Sequence, residues 1–194
     1  MKKTSLFLAI TLFLTASVFA ETVDRIAAIV GGEIITLSDV KNYSAKRSFE
    51  KKRLPGEVRD PLEALIREKL IQQEITHLGI EASDQDIAGA VQDVLQRNHA
   101  SLEGLKAELS KKGTSYEKYK KDLGEQIRQM KFLGQVIYPR IRLSEDEISR
   151  KTSGDNSEEG RFKARMKLLE ERSPTEIEKF VAEIRSKTLV EIKK

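Results

Sequence analysis

The 194-residue sequence contains no cysteine and only two histidines. The missing cysteine excludes disulfides, thiol chemistry and a lipid-modified cysteine, so stability has to come from a packed core. Neither His77 nor His99 stands in an HExxH arrangement or at metal-ligand spacing from another ligand type, so no metal or cofactor is expected. His77 sits near a helix end and His99 in an interhelix turn, where ordinary capping and turn roles account for them. GxSxG, P-loop and dinucleotide fingerprints are missing too, and Gly31-Gly32 reads as a tight turn rather than a phosphate cradle. An excess of one charge sign is also lacking. The formal charge of +4 falls to +2 once Lys2 and Lys3 are set aside. Signs interleave in "REKLIQQE" and "KYKKDLGEQIRQMK" as on solvated helix faces, which argues against nucleic acid as a partner.

What is present begins with a leader. Lys2-Lys3 precede an apolar run from Leu6 to Leu14, and small residues end in Val18-Phe19-Ala20. These features predict a secretory signal peptide over residues 1–20, cleaved after Ala20. The run is too short to cross a bilayer of ~30 Å comfortably, so the mature chain is expected to be exported without stable membrane insertion. A chain of its size can bury roughly 70% of its extended surface, enough for one or two cores.

"VDRIAAIVGGEIITLSDV" (23–40) reads as two short strands around Gly31-Gly32, followed by a helix capped by Ser38 or Asp39 and ending before the turn at Leu54-Pro55-Gly56. Asp60 and Pro61 open the next helix, with Glu63 spaced for a capping box, a stripe from Leu62 to Leu78, and Gly79 as the stop. Helices then follow from Ser83, from Ser101, and from Thr114 with Glu117, the last running to about Tyr138 and Pro139. On a helical wheel Tyr116, Leu123, Ile127, Met130, Ile137 and Tyr138 share one face, while Phe132 and Val136 point the other way. Ser144 and Glu147 have capping-box spacing, "TSGDNSEEG" (152–160) reads as a loop, and two helical segments follow, the second capped by Ser173-Pro174-Thr175-Glu176. Residues 188–193 alternate as a strand. A two-stranded ribbon alone is marginal in water, so this strand is expected to pair with the opening hairpin. The carboxylates of Glu145-Asp146-Glu147 and Glu158-Glu159 sit at helix starts or in the loop, where dipole and solvation suffice, so no enzymatic site is expected.

Taken in order, "VDRIAAIVGGEIITLSDV", "PLEALIREKLIQQEITHLGI", "ASDQDIAGAVQDVLQRN" and "SLEGLKAELSKKGTSYEKYKKDLGEQIRQMKFLGQVIYPRI" resemble the N-terminal domain of SurA-type periplasmic chaperones over roughly residues 22–150. The segment from Arg161 to the end is similar to that family's C-terminal helix and strand. The resemblance implies a mostly α fold: a multi-helix chaperone module whose N-terminal β-hairpin is completed by a C-terminal strand. Its parts would be residues 21–151 as the helical domain, 152–160 as a loop where the family carries parvulin isomerase domains, and 161–194 packing back on the first part. It further implies a periplasmic, ATP-independent chaperone for unfolded outer-membrane or exported proteins, with isomerase activity not carried over. The alternative is a dedicated assembly partner of one exported protein or secretion machine. Candidate client contacts, apolar at helix edges or off the main stripe, are Phe49, Leu54, Phe132, Val136, Tyr138, Phe162 and Met166. A terminal strand that completes a distant hairpin could complete a neighbour's instead, so a swapped homodimer is a further expectation.

Overall fold

The computed structural model describes residues 24–49, 60–152 and 154–193. Strands β1 (Ile26–Val30) and β2 (Glu33–Thr36) form the expected hairpin. Its two-residue turn needs left-handed backbone at both positions, and Gly31 and Gly32 supply it with φ of 55° and 88°. Gly31 is doubly constrained, because a Cβ there would stand 2.6 Å from Gln73 Oε1. Gln73 Nε2 donates to the carbonyl of Val30 at 2.8 Å and to Glu33 at 3.0 Å, and Lys69 donates to Glu33 at 2.6 Å. Both donors come from α2 (Pro61–His77), which thereby clamps the turn from below.

The third strand, β3 (Val190–Ile192), pairs antiparallel with β1 as expected, giving the order β2-β1-β3. Ala28, Val30, Ile35 and Val190 share the face turned to the main core, where they meet Ile66, Leu70 and Ile75. Burial of each large aliphatic side chain there stabilises the fold by ~1.5–3 kcal/mol.

Helix α1 (Leu37–Phe49) starts earlier than expected. Its cap is Thr36, whose hydroxyl accepts from the Asp39 N–H at 3.2 Å, while the Asp39 carboxylate accepts from the Thr36 N–H at 2.9 Å. The turn at 54–56 lies outside the described residues. In α2, Asp60 caps and Pro61 leads as expected, but Glu63 closes no capping box; it pairs with Arg185 far along the chain. A long-range guanidinium offers the carboxylate a charge-assisted partner that the local N–H cannot match. Gly79, with φ of 64°, ends the helix by letting the Ile80 N–H reach the Ile75 carbonyl at 3.0 Å.

Helices α3 (Asp84–Arg97), α4 (Leu102–Lys111) and α5 (Tyr116–Phe132) follow, capped by Ser83, Ser101 and Ser115. The cap of α5 is therefore Ser115 rather than Thr114. Beyond Phe132 the chain widens into a π-helical turn, Leu133–Ile137, in which the Tyr138 N–H bonds the Leu133 carbonyl, and then tightens into a 3-10 turn, Tyr138–Arg140. Pro139 has no N–H to give the carbonyl four residues back and its ring crowds it, so the regular ladder cannot continue here. The extra residue per turn shifts the helical phase, which overturns the wheel. Phe132 and Ile137 both enter the main core. Met130 stands before the π turn and, although on the wheel it shares a face with Ile127, is 61% exposed, because α5 buries a face through Gly124, Ile127 and Phe132.

Helix α6 (Glu145–Lys151) carries the expected Ser144–Glu147 capping box. The loop after it is shorter than expected, because α7 begins at Glu158, capped by Ser157. The two expected segments are one helix, α7 (Glu158–Lys187), with Pro174 inside it. Ser173 caps nothing; its hydroxyl donates at 3.0 Å to the carbonyl of Glu170, the one Pro174 cannot satisfy. The continuous α7 spans two cores. Ala164 and Leu168 pack with Ile148 in a small cluster, while Phe180, Val181 and Ile184 enter the main one. No helix among the described residues is long and apolar enough to cross a membrane.

Candidate functional site

The residues expected to contact a client separate into two groups along α7. At its C-terminal half, Phe132 is 3% exposed and meets Phe180 edge-on, with ring centroids 5.4 Å apart. Val136 and Tyr138 lie partly buried against the same core. The Arg140 guanidinium covers the Phe180 ring at 5.2 Å and is itself held by Glu183 at 2.6 Å and Glu176 at 3.3 Å. This end is a buried aromatic contact bordered by ion pairs, so Phe132 presents almost no surface to a client.

At the N-terminal half of α7, Phe162 is 63% exposed and Met166 is partly exposed. Four residues apart on one helix, they share a face. Ala164 and Leu168 point away from it into the small core, which holds the exposed pair outward on a fixed support. Phe162 and Phe180 stand roughly 27 Å apart along the helix at 1.5 Å per residue, so the seven candidates do not converge on one pocket. Phe49 ends α1 and its side chain lies outside the described residues, as does Leu54 entirely.

Ionic pairs frame these surfaces and fix the helices. Arg67 meets Glu178 at 2.6 Å, Arg185 pairs with Glu63, Arg172 with Glu147, and Lys151 reaches Glu171 at 2.7 Å. On the other side of the body, Lys131 bonds Asp86 at 2.6 Å and the Glu81 carbonyl at 3.1 Å, tying α3 and its entry loop to α5. Met130 is the neighbour of that lysine, and Leu78, also exposed, closes α2 in the same connecting region. Sequence reasoning missed both as exposed apolar residues. Leu78 continues the α2 stripe in register but falls one residue past the helix, and Met130 shares the wheel position of Ile127 while α5 buries a face running through Gly124, Ile127 and Phe132 instead.

Among the described residues no three histidine, aspartate or glutamate side chains converge as a metal site. His77 is exposed beside Glu74 at 3.7 Å, and His99 adopts a left-handed turn conformation with φ of 49°. What the surface offers chemically is apolar contact at Phe162 and Met166, at Met130 and Leu78, and along the sheet at Ile34, Leu189 and Ile192, with charged residues beside them.

The N-terminal residues match the family model for the SurA N-terminal domain over residues 23–135. Similar proteins include the chaperone SurA of Ralstonia nicotianae, 29% identical over 136 residues that cover 66% of this chain and 27% of that protein. The chaperone SurA of Bordetella avium is 32% identical over 133 residues, covering 65% of this chain and 26% of its own length. The matched part thus spans about a quarter of those curated relatives. A solved structure of a SurA-like chaperone of Campylobacter jejuni, from work on the virulence factor PEB4 and the periplasmic protein Cj1289, superimposes with a TM-score of 0.61 at 15% identity. It covers 88% of this chain and 100% of that one. The mostly α fold with its three-stranded sheet is therefore that of SurA-like chaperones, as the sequence resemblance implied. By its family match across more than half its length, the chain belongs to the SurA N-terminal domain family.

Proposed function

We propose that the chain is a periplasmic, ATP-independent chaperone that holds unfolded outer-membrane or other exported polypeptides, without isomerase activity of its own. The observation that carries this reading is the exposed Phe162–Met166 pair, supported from behind by a packed helix and flanked by Arg161, Lys163, Arg165 and Lys167. Aromatic and thioether side chains adapt to many apolar partners, and the surrounding charge keeps the surface soluble between clients. Outer-membrane strands alternate apolar and polar residues, so in transit they expose apolar side chains suited to such a surface. Phe132, Val136 and Tyr138 belong to the support of that body on this reading, while Phe49 and Leu54 remain candidate contacts. The leader over residues 1–20 supports export, and the short join between α6 and α7 supports a module working without an isomerase domain at that point.

The test is suppression of light scattering by a diluted, urea-unfolded outer-membrane protein. The wild-type chain is expected to suppress it, and the double variant Phe162→Ser, Met166→Ser to need several-fold more protein while unfolding at the same temperature. No suppression by the wild type would overturn the chaperone reading; a single stoichiometric partner in a pull-down, with no protection of other clients, would favour the dedicated-partner role instead. Gel filtration reads whether the chain forms the dimer that exchange of β3 would produce.

A further inference from the structure

We infer that the outer edge of β3 takes up an extended polypeptide strand through its main chain, so that a client is held by backbone pairing as well as by side-chain contact. This deepens the chaperone reading and rests on it.

The hydrogen-bond phase of the sheet identifies the open groups. The Gly31 N–H donates to the Leu189 carbonyl at 2.9 Å and the Lys193 N–H to the Ala27 carbonyl at 2.9 Å. Leu189 and Lys193 therefore turn their backbone toward β1, and by the two-residue period so does Glu191. The N–H and C=O of Val190 and Ile192 point the other way, off the sheet. The side chains around them leave the approach free: Leu189 is 69% exposed, Ile192 is 48% exposed, and Glu191 and Lys193 are exposed as well.

The opposite edge is treated differently. At β2 the chain runs directly into α1, and the Thr36 N–H is already taken by Asp39. Unpaired strand edges invite pairing unless they are covered; along β2 only the half-exposed Ile34 keeps both outward groups open, whereas β3 offers two residues, Val190 and Ile192.

The occupant follows from what those groups can bind. Alternating outward donors and acceptors at Val190 and Ile192 have the spacing of another extended backbone. An added strand would set one row of side chains beside Val190 and Ile192 at the core rim, and the other beside Leu189 and Glu191 on the outer face. That demand for alternating apolar residues on one row fits an unfolded β-barrel strand. A second copy of this chain fits poorly. The antiparallel register that pairs both Val190 and Ile192 with their mates sets Glu191 directly opposite Glu191, and like charges so opposed repel. A foreign strand with lysine, arginine or threonine at that position avoids the conflict.

The test uses the full mature chain and a 12-residue peptide of alternating valine and threonine with flanking lysines, together with the same peptide N-methylated at every second residue. Amide exchange of Val190 and Ile192 is expected to slow at least about tenfold when the unmodified peptide is added, while Glu191 is protected throughout. The N-methylated peptide should bind at least several-fold more weakly. Ile192→Pro removes an outward N–H without touching the ladder to β1 and should weaken peptide binding as much, whereas Ile192→Thr, which keeps that N–H, should weaken it much less. Unchanged exchange at Val190 and Ile192 in wild-type protein saturated with peptide would overturn the inference, as would equal binding of the N-methylated peptide. Protection at both amides without peptide, rising with protein concentration, would assign the edge to a second copy and likewise overturn it. If the wild type suppresses aggregation of an unfolded outer-membrane protein yet these two amides stay unprotected, edge pairing alone fails; if it suppresses nothing, the chaperone reading fails with it.

Discussion

Lys131 and Asp86 stand 45 residues apart in the chain and meet at 2.6 Å. The lysine hydrogen bond, followed by those from Ser83, lowers the Asp86 carboxyl from 3.8 to about 2. Glu147 is also held down to about 2, first by the Ser144 N–H and then by Arg172. Both groups take up protons more readily in the unfolded chain, so the stability they add is present above their ordinary values and is lost as pH falls toward 2. The thermal midpoint at low salt is expected to drop between pH 5 and pH 2, and Lys131→Met should lower it at pH 7 and make the acid drop shallower. A flat profile from pH 5 to 2 in circular dichroism would contradict this. The capping halves of both sites were readable, because Ser83 to Asp86 and Ser144 to Glu147 are three residues apart and a cap is a local event. The lysine and arginine were not, since nothing near them in sequence names their partners. The same blindness put Glu63 in a cap rather than against Arg185.

At the scale of the element, α7 shows how a side chain repairs a backbone. Pro174 leaves the Glu170 carbonyl without its N–H, and Ser173 supplies a hydroxyl to it at 3.0 Å. Ser173→Ala should therefore cost about 1 kcal/mol, while Pro174→Ala should be neutral or stabilising because the backbone bond returns. In the Pro174→Ala background the serine substitution should lose most of its effect, as expected of two residues serving one carbonyl. Urea unfolding of the two single variants and the double variant measures this; equal losses from Ser173→Ala in both backgrounds would refute the pairing. Proline with serine before it has the pattern of a helix start, which is why 173–176 reads as a cap. Only the packing of Leu168 on one core and Phe180 on the other makes continuity through the proline worthwhile. The π turn at Leu133–Ile137 has a similar origin, with Pro139 disturbing the ladder and the core selecting the phase that buries both Phe132 and Ile137.

The whole molecule is closed by its third strand. Val190 packs against the core face of the sheet, and β3 satisfies the edge of β1. Truncation after Thr188 should remove about 2 kcal/mol or more, from partial burial of Val190 and the lost ladder bonds, and lower the thermal midpoint. An unchanged midpoint would mean that the sheet is held by α2 alone. Such a truncation also bares β1, so it would not isolate the contribution of the β3 edge as Ile192→Pro does.

Helix and strand periods, serine and aspartate caps, glycine stops and the need of a lone hairpin for a third strand were determined by the sequence itself, because each depends on residues a few positions apart or on the scarcity of other strands. The tertiary structure alone decided that β3 joins β1 on the side away from β2, that Met130 and Phe162 face solvent while Phe132 does not, and that α7 runs unbroken between two cores. Burial and edge occupancy are set by neighbours distant along the chain, and a pattern in one dimension marks which residues are apolar without specifying what covers them.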